Sequence, residues 1–288
     1  MAYVGMSSHS HAFHGVIAGG AGRERAPPLG IDSGSVSSLH RTTETSPTRD
    51  DAEQITVVVP ARAGSERVKH KNTRPFASYE GGLLELKLEQ LTRTGEIDRI
   101  IVSSNDPAVL DYTAQFAAQH DDGRIEALER PDELGRSSTP MSVFLQYVAE
   151  LQETGTMMMT HVTHPLIGSQ HFSELVGAWR EAADAGHDSL LTVTKLQTFL
   201  WDENGPFNYD ASQEKWPRSQ DIKPLYEVNH GAYFIPFRTM REVDDRVGAA
   251  PRMHELPENV VLDIDWEEQF ALLEDIVRAK ELRGISVL

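Results

Sequence analysis

The sequence predicts an α/β fold built on a mostly parallel β-sheet that is covered by helices. From Ile55 onward, short apolar runs rich in β-branched residues alternate with longer amphipathic segments. This alternation is typical of parallel strands joined by crossover helices. Four crossovers follow one another along the chain without an internal repeat, so a single α/β sheet is expected rather than a repeat array.

The first predicted strand is ITVVVP, Ile55–Pro60, because its residues are almost all β-branched. Four further apolar runs are predicted strands, at 99–103, 124–128, 157–163 and 189–194. The amphipathic segments between the strands are predicted helices, at 82–94, 107–120, 140–154 and 169–185. The second helix has the clearest start, since Asn105 and Asp106 offer a cap and Pro107 suits the first turn.

The alternation breaks at residues 196–226, where WDENGPFNYD and KWPRSQDIKP are rich in turn-forming residues. We therefore expect an inserted loop or arm there. Beyond it the sequence predicts a strand at 227–235, a second strand around 260–263 and a terminal helix at 266–280.

Residues 1–53 are rich in Ser, Gly, His, Thr and Pro and have no periodic apolar face. They are predicted to be a disordered extension of a folded domain at 54–288. His9, His11 and His14 lie in this extension. Histidines in a mobile segment have no fixed ligand geometry, so we do not assign a metal site to them.

Composition narrows the class of protein. The chain has 288 residues, a formal net charge of −17, 39% hydrophobic residues and no cysteine. Thiolate catalysis, disulfides and cysteine-based metal sites are therefore excluded, and the acidic balance argues against nucleic acid or an anionic membrane as partners. Neither a membrane-spanning apolar run nor a secretory signal is visible, so a cytoplasmic location is expected.

A basic segment, residues 60–72, follows the first strand. It has the sequence PARAGSERVKHKN, with five basic side chains close together in an otherwise acidic chain. Ligands of open α/β sheets bind beyond the carboxyl ends of the strands, and a triphosphate needs cations and free backbone N–H groups. Phosphate binding is one interpretation, and a solvated surface loop is the other. Neither a Walker loop nor a GxGxxG turn is present.

Two carboxylates end the apolar run VVLDID, at Asp263 and Asp265. In a strand, residues two apart point to the same side, so both can converge on one hard cation such as Mg²⁺. The alternative is that Asp265 merely caps the terminal helix. Arg130 and Arg218 are further candidates, because guanidinium groups bind carboxylate or phosphate with two hydrogen bonds, although such arginines are often surface ion-pair partners.

Together these motifs resemble the CMP-sialic acid synthetase (acylneuraminate cytidylyltransferase) family. The similarity starts in ITVVVPARAGSERVKHKN, close to the family's IPARxGSKxxxxKN signature. It continues, in the family's order and spacing, through RIIVSSND, ERPDELG, THVTHPLI, PRSQD, YEVNHGAYFI and VVLDIDWEEQFALLE. It spans about residues 55–280, nearly the whole predicted domain.

The resemblance implies a Rossmann-like sheet of the nucleotide-diphospho-sugar transferase type, a homodimer formed through the arm, and transfer of CMP from CTP to an acidic sugar with release of pyrophosphate. It implies Arg62, Lys71 and Asp263 as catalytic residues. The implied nucleotide-binding residues are Ala61, Arg62, Gly64, Ser65, Lys71, Asn72, Arg130 and Ser138. The implied acceptor-binding residues are His161, Thr163, Arg218, Asn229 and Tyr233. Mg²⁺ is expected on Asp263 and Asp265.

The chain departs from the family pattern at several positions. Glu66 replaces the usual Lys of the signature, and Ser137 and Ser138 stand near the position of the usual Asp-Thr. His161 and His164 replace the Gln and Ser of the common QPTSPL motif, where the acceptor is recognised. Two alternatives therefore stay open: a phosphonate as acceptor, and a non-catalytic nucleotide-sugar-binding subunit of the same fold.

Overall fold

The computed structural model describes residues 49–288, which form an α/β domain around a seven-stranded sheet. The strands are β1 Ile55–Pro60, β2 Arg99–Ser104, β3 Ile125–Glu129, β4 Thr156–Met159, β5 Ser189–Leu196, β6 Trp201–Asp202, β7 Gly205–Pro206, β8 Leu225–Pro236 and β9 Pro251–Glu255. The helices are α1 Arg49–Glu53, α2 Gly82–Thr92, α3 Pro107–His120, α4 Asp132–Gly135, α5 Met141–Ala149, α6 Ser169–Asp184, α7 Phe237–Val243 and α8 Glu267–Leu282.

The sheet order is β3-β2-β1-β4-β8-β5-β9. Six of these strands run parallel, and β8 alone runs antiparallel, between β4 and β5. The predicted fold class is thus confirmed. β6 and β7 form a separate small hairpin inside the predicted insertion.

Both faces of the sheet are buried, which explains the continuous apolar runs in the central strands. Val57 packs on one face with residues of α2, α3, α6 and α8, and Val58 packs on the other with residues of α5 and α7. Trp179 of α6 is fully buried, and its indole Nε1 donates to Thr156 Oγ1 at 3.1 Å. The core therefore fixes the strand ends beyond which the site lies. Of the helices in residues 49–288, none is both long and apolar enough to cross a membrane.

Three of the differences from the predictions bear on the sheet or on the site. The strand predicted around 260–263 is wrong: this stretch is irregular and crosses the end of β4, where Ile264 N donates to Thr163 O at 3.0 Å. The last sheet strand is instead β9, which the sequence analysis missed because this edge strand buries little of its surface. The predicted strand at 157–163 ends at Met159, so the following residues are a loop free to line a site.

The start of the folded domain also differs, because α1 lies inside the predicted extension at 1–53. Asp51 of α1 accepts a hydrogen bond from Gly155 N at 3.2 Å, which ties this helix to the start of β4. The rest of the predicted extension, with His9, His11 and His14, lies outside the described residues.

Candidate active site

A cavity of about 530 Å³ opens beyond the carboxyl ends of β1 and β4. Three segments meet around it: the basic segment after β1, the loop after β4, and the irregular stretch before α8. The residues that line it include Ala61, Arg62, Ser65, Glu66, Arg67, Lys71, Asn72, Ser137, His161, Thr163, His164, His230, Asp263 and Asp265. This is the strand edge at which open α/β sheets bind ligands.

Backbone and amide contacts shape the start of the basic segment. Asn72, which is buried, donates from Nδ2 to Arg62 O at 3.3 Å, and Ala63 N donates to Asn105 Oδ1 at 3.0 Å. Gly64 has a φ of +75°, a conformation that favours glycine. Because the loop is shaped in this way, the exposed Arg62 guanidinium is left beside the cavity.

Lys71 links the basic segment to the two predicted metal ligands. Its Nζ donates to Ile264 O at 2.8 Å, between Asp263 and Asp265. Burial lowers the pKa of Lys71, while the two carboxylates oppose that shift. Asp265 Oδ1 also lies 3.1 Å from Arg67 Nη1. The structure thus brings both aspartates to the cavity, although without the strand that was expected to align them.

His164 lies beneath Asp263. Its ring is 1% exposed, its Nε2 lies 2.9 Å from Asn229 O, and its Nδ1 lies 3.9 Å from Asp263 Oδ1. Burial lowers the pKa of His164 to about 4. Among the described residues, neither Nδ1 of His164 nor Oδ1 of Asp263 has a hydrogen-bond partner, although both atoms are buried.

His161, Thr163 and His230 also line the cavity. Burial lowers the pKa of His161 well below its usual range, and partial burial lowers the pKa of His230. Both imidazoles are therefore neutral at pH 7. His230 has a φ of +58° in β8, an uncommon backbone conformation for a side chain of this size. It turns the ring so that Nδ1 lies 2.5 Å from Tyr233 OH.

Arg246, in the loop after α7, was missed by the sequence analysis. Its guanidinium lies 4.0 Å from the centre of the Tyr233 ring, and its Nη1 lies 3.5 Å from Met159 Sδ. Among the described residues no carboxylate forms an ion pair with it. Its charge lowers the pKa of both His161 and His230. No motif pointed to Arg246, because only the fold brings this loop beside β8.

Arg130 lines a smaller neighbouring cavity of about 300 Å³, together with Arg62, Ser137 and His161. Its guanidinium donates to Ser103 O at 2.5 Å and lies 4.2 Å from the centre of the Phe144 ring. Burial lowers the pKa of Arg130 to about 10, so the group stays charged at pH 7.

Four sequence candidates are placed differently from the expectation. Arg218 is exposed in the arm, with Nε 2.7 Å from Asp221 Oδ2. Asn229 is buried in the sheet, where Oδ1 accepts from Thr192 Oγ1 at 2.6 Å. Tyr233 is 2% exposed, behind His230. Ser138 is exposed, and Ser137 rather than Ser138 lines the cavity.

The sequence profile of the cytidylyltransferase family matches residues 56–285, nearly all of the domain just described. The chain belongs to the cytidylyltransferase family. It is therefore an enzyme of the nucleotidyltransferase class. Its similarity to two curated relatives supports this. Both relatives are pseudaminic acid cytidylyltransferases of Campylobacter jejuni subsp. jejuni, one from serotype O:2 and one from serotype O:23/36. Their sequences are 22% and 23% identical to this chain over 240 residues, which cover 80% of this chain and 96% of each relative.

Solved structures share the fold of this cytidylyltransferase. One is a CMP:2-keto-3-deoxy-manno-octonic acid synthetase complexed with CTP, with a TM-score of 0.57 and 16% identity over 81% of this chain and 100% of that one. Another is the 4-diphosphocytidyl-2C-methyl-D-erythritol synthase of Anaerococcus prevotii, with a TM-score of 0.56 and 14% identity over 80% of this chain and 98% of that one.

Proposed function

We propose that this cytidylyltransferase transfers CMP from CTP to a hydroxyl group of an acidic sugar and releases pyrophosphate. The observation that carries the proposal is the set of side chains that line the cavity. Cations of the basic segment lie beside Asp263 and Asp265, and the neutral imidazoles of His161 and His230 line the same cavity. The names of the relatives, which specify pseudaminic acid, point to the same acceptor class.

The nucleotide side fits a triphosphate. Arg62 and Lys71 supply positive charge, while Ser65 and the backbone around Gly64 supply hydrogen-bond donors. The cavity beside Arg130 is partly walled by Phe144 and Met141, which suits a flat cytosine ring. Glu66 adds a negative charge to the cavity lining, so Arg62 and Lys71 supply most of the positive charge that neutralises the phosphates.

A divalent cation fits the carboxylate pair. Asp263 and Asp265 offer hard oxygen ligands, and the buried Oδ1 of Asp263 has no other partner among the described residues. Such a cation, Mg²⁺ in the prediction from the sequence, would neutralise the phosphate charge when bound. In the reaction the acceptor hydroxyl loses its proton to the solvent, and its oxygen bonds to the α-phosphorus as the bond to pyrophosphate breaks. Arg62 and Lys71 stabilise the charge that develops.

The acceptor side suits a hydroxylated anion. Neutral imidazoles of His161 and His230 can donate and accept hydrogen bonds with sugar hydroxyls. Arg246 lies outside the cavity lining, but its charge acts on both imidazoles and offers positive charge for the carboxylate of the acceptor. A phosphonate would satisfy the same arginine, so it remains the second candidate acceptor. Arg218, in the arm, would reach an acceptor only through assembly.

Homodimerisation through the arm, residues 196–226, belongs to this proposal. Three exposed aromatic side chains support it: Trp201, Phe207 and Trp216 are 59%, 65% and 66% exposed, and the two tryptophan rings stack at 6.2 Å. Exposed apolar clusters of this kind mark interaction surfaces. Analytical ultracentrifugation of the wild type and of Trp216→Ser tests the dimer, and a cytoplasmic location is tested by cell fractionation.

The decisive experiment measures pyrophosphate release with CTP and a divalent cation. The acceptor panel contains pseudaminic acid, N-acetylneuraminic acid, 3-deoxy-manno-octulosonic acid and 2-aminoethylphosphonate. We expect release with at least one sugar acid, and loss of at least about 1,000-fold in kcat for Asp263→Asn. Asp275→Asn, on the exposed side of α8, is the matched control and keeps wild-type turnover. The sugar acid assignment is refuted if pyrophosphate is released only with the phosphonate, or if none of the four acceptors gives release.

A further inference from the structure

His164 and Asp263 face each other through two buried atoms that lack partners among the described residues. These are the imidazole Nδ1 and the carboxylate Oδ1, 3.9 Å apart. The great majority of buried polar atoms in proteins have a hydrogen-bond partner. Two such atoms without one, side by side in a cavity wall, indicate that a further group binds between them. The group must interact favourably with both atoms.

The other ring nitrogen decides what Nδ1 can offer. His164 Nε2 lies 2.9 Å from Asn229 O, and a carbonyl oxygen can only accept a hydrogen bond. Nε2 therefore carries the hydrogen, and in the neutral ring Nδ1 holds a lone pair. That lone pair faces an oxygen of Asp263 that is also rich in electrons. A neutral ring and a carboxylate are stable in this arrangement when a water molecule donates to both atoms or when a positive charge lies between them.

We propose that His164 Nδ1 is a metal ligand, which shares a divalent cation with Asp263. Bonds from a divalent transition metal to nitrogen and oxygen are about 2.0–2.2 Å long. The 3.9 Å gap is therefore slightly shorter than two such bonds placed end to end. A backbone carbonyl that holds the second nitrogen of the imidazole is the usual support of a metal-binding histidine. This inference rests on the proposed function, which places a cation at Asp263.

The ligand set has a consequence for metal selectivity. Mg²⁺ prefers oxygen ligands and nearly ideal octahedral geometry, whereas Mn²⁺ and Co²⁺ accept imidazole nitrogen more readily. A serine at position 164, the residue common in the QPTSPL motif, would leave oxygen donors alone. His164 thus shifts the preference of the site from Mg²⁺ towards Mn²⁺. No preformed cluster of three or more histidine, aspartate or glutamate ligands occurs in residues 49–288, so phosphate oxygens of the nucleotide would complete the shell.

The test uses the full-length chain with Mn²⁺ and CMP, and pulsed electron paramagnetic resonance as the readout. Directly bound imidazole nitrogen gives a ¹⁴N coupling to Mn²⁺ that does not require turnover. We expect this coupling in the wild type and in His120→Ser, an exposed-histidine control, and its loss in His164→Ser. By titration calorimetry, His164→Ser weakens Mn²⁺ binding by about tenfold or more, since loss of an outer-shell partner alone costs 10- to 100-fold. Mg²⁺ affinity changes by less than about threefold.

The outcomes separate this inference from the proposed function. Mn²⁺ bound without ¹⁴N coupling in the wild type overturns it, as does coupling that persists in His164→Ser. Failure of the wild type to bind Mn²⁺ also overturns the inference. A protonated His164 paired with Asp263 would then explain why the two buried atoms face each other. Nitrogen coupling together with no pyrophosphate release from any acceptor supports the metal ligand while refuting the acceptor class. The first readout is taken on the wild type, so absence of ¹⁴N coupling there overturns the inference whether or not His164→Ser folds.

Discussion

Lys87, on α2, is buried in the core, and no carboxylate among residues 49–288 forms an ion pair with it. Its side chain is 1% exposed, and its Nζ donates to His164 O at 3.1 Å and to Ile167 O at 3.3 Å. The ammonium also lies 4.8 Å from the centre of the Phe172 ring. Two carbonyls and one ring do not replace the lost hydration, so burial lowers the pKa of Lys87 to about 7. Replacing Lys87 with methionine removes this titration.

The expected effect follows from proton linkage. In the unfolded chain the lysine pKa is about 10.4. Between pH 7 and that value the unfolded chain binds a proton that the folded protein lacks, so the free energy of unfolding rises with pH. Integrated from pH 7 to pH 9, with the folded pKa at about 7, the gain is about 2 kcal/mol in favour of the wild type. Lys87→Met lacks it.

The assay is urea denaturation at pH 7 and pH 9, followed by far-ultraviolet circular dichroism. The free energy of unfolding of the wild type minus that of Lys87→Met should rise by about 2 kcal/mol from pH 7 to pH 9. The variant also loses the hydrogen bonds to the carbonyls of His164 and Ile167, and this cost does not depend on pH. Lys195→Met, at an exposed position, should show no such change. Parallel pH profiles for wild type and Lys87→Met would refute the assignment of a depressed pKa.

Three further predictions follow from single contacts. Arg246→Met should raise the KM for a sugar acid roughly 10- to 100-fold and leave the KM for CTP nearly unchanged. Arg252→Met is the exposed control, and a sugar-acid KM of Arg246→Met equal to that of the wild type would contradict the prediction. Arg62→Ala should instead raise the KM for CTP at least about tenfold in steady-state assays. Gly82→Ala should destabilise the fold by about 2 kcal/mol or more in urea, because Gly82 has a φ of +71° and its added Cβ would lie 2.2 Å from Arg74 O.

The sequence predicted elements well where pattern and packing coincide. β1 and α3 begin and end at the predicted residues, because a buried β-branched run and an Asp106-Pro107 start leave few alternatives. Prediction failed where tertiary contacts decide. VVLDID reads as a strand, yet Val261 and Ile264 bury their apolar groups against the core from an irregular crossing segment. Burial alone cannot distinguish these two structures in a sequence.

The same limit applies to the site. The basic segment and Asp263 could be predicted to lie near the cavity because each belongs to a short sequence motif. Arg246 could not, since only the tertiary packing of its loop brings it beside Tyr233. Asn229 carried the right chemistry but is used inside the sheet, bonded to Thr192. Motif spacing predicts neighbours along the chain, whereas orientation depends on packing between distant segments.

The antiparallel strand β8 connects the arm, residues 196–226, to the cavity. Its first residues pair with the end of β5, at the root of the arm, as in the register of Glu227 with Thr194. Its later residues include His230, which lines the cavity. Because one continuous strand carries both, exchange of the arm between relatives should also move His230. Under the proposed function, changes in assembly and changes in acceptor preference are therefore expected to arise together as such enzymes diverge.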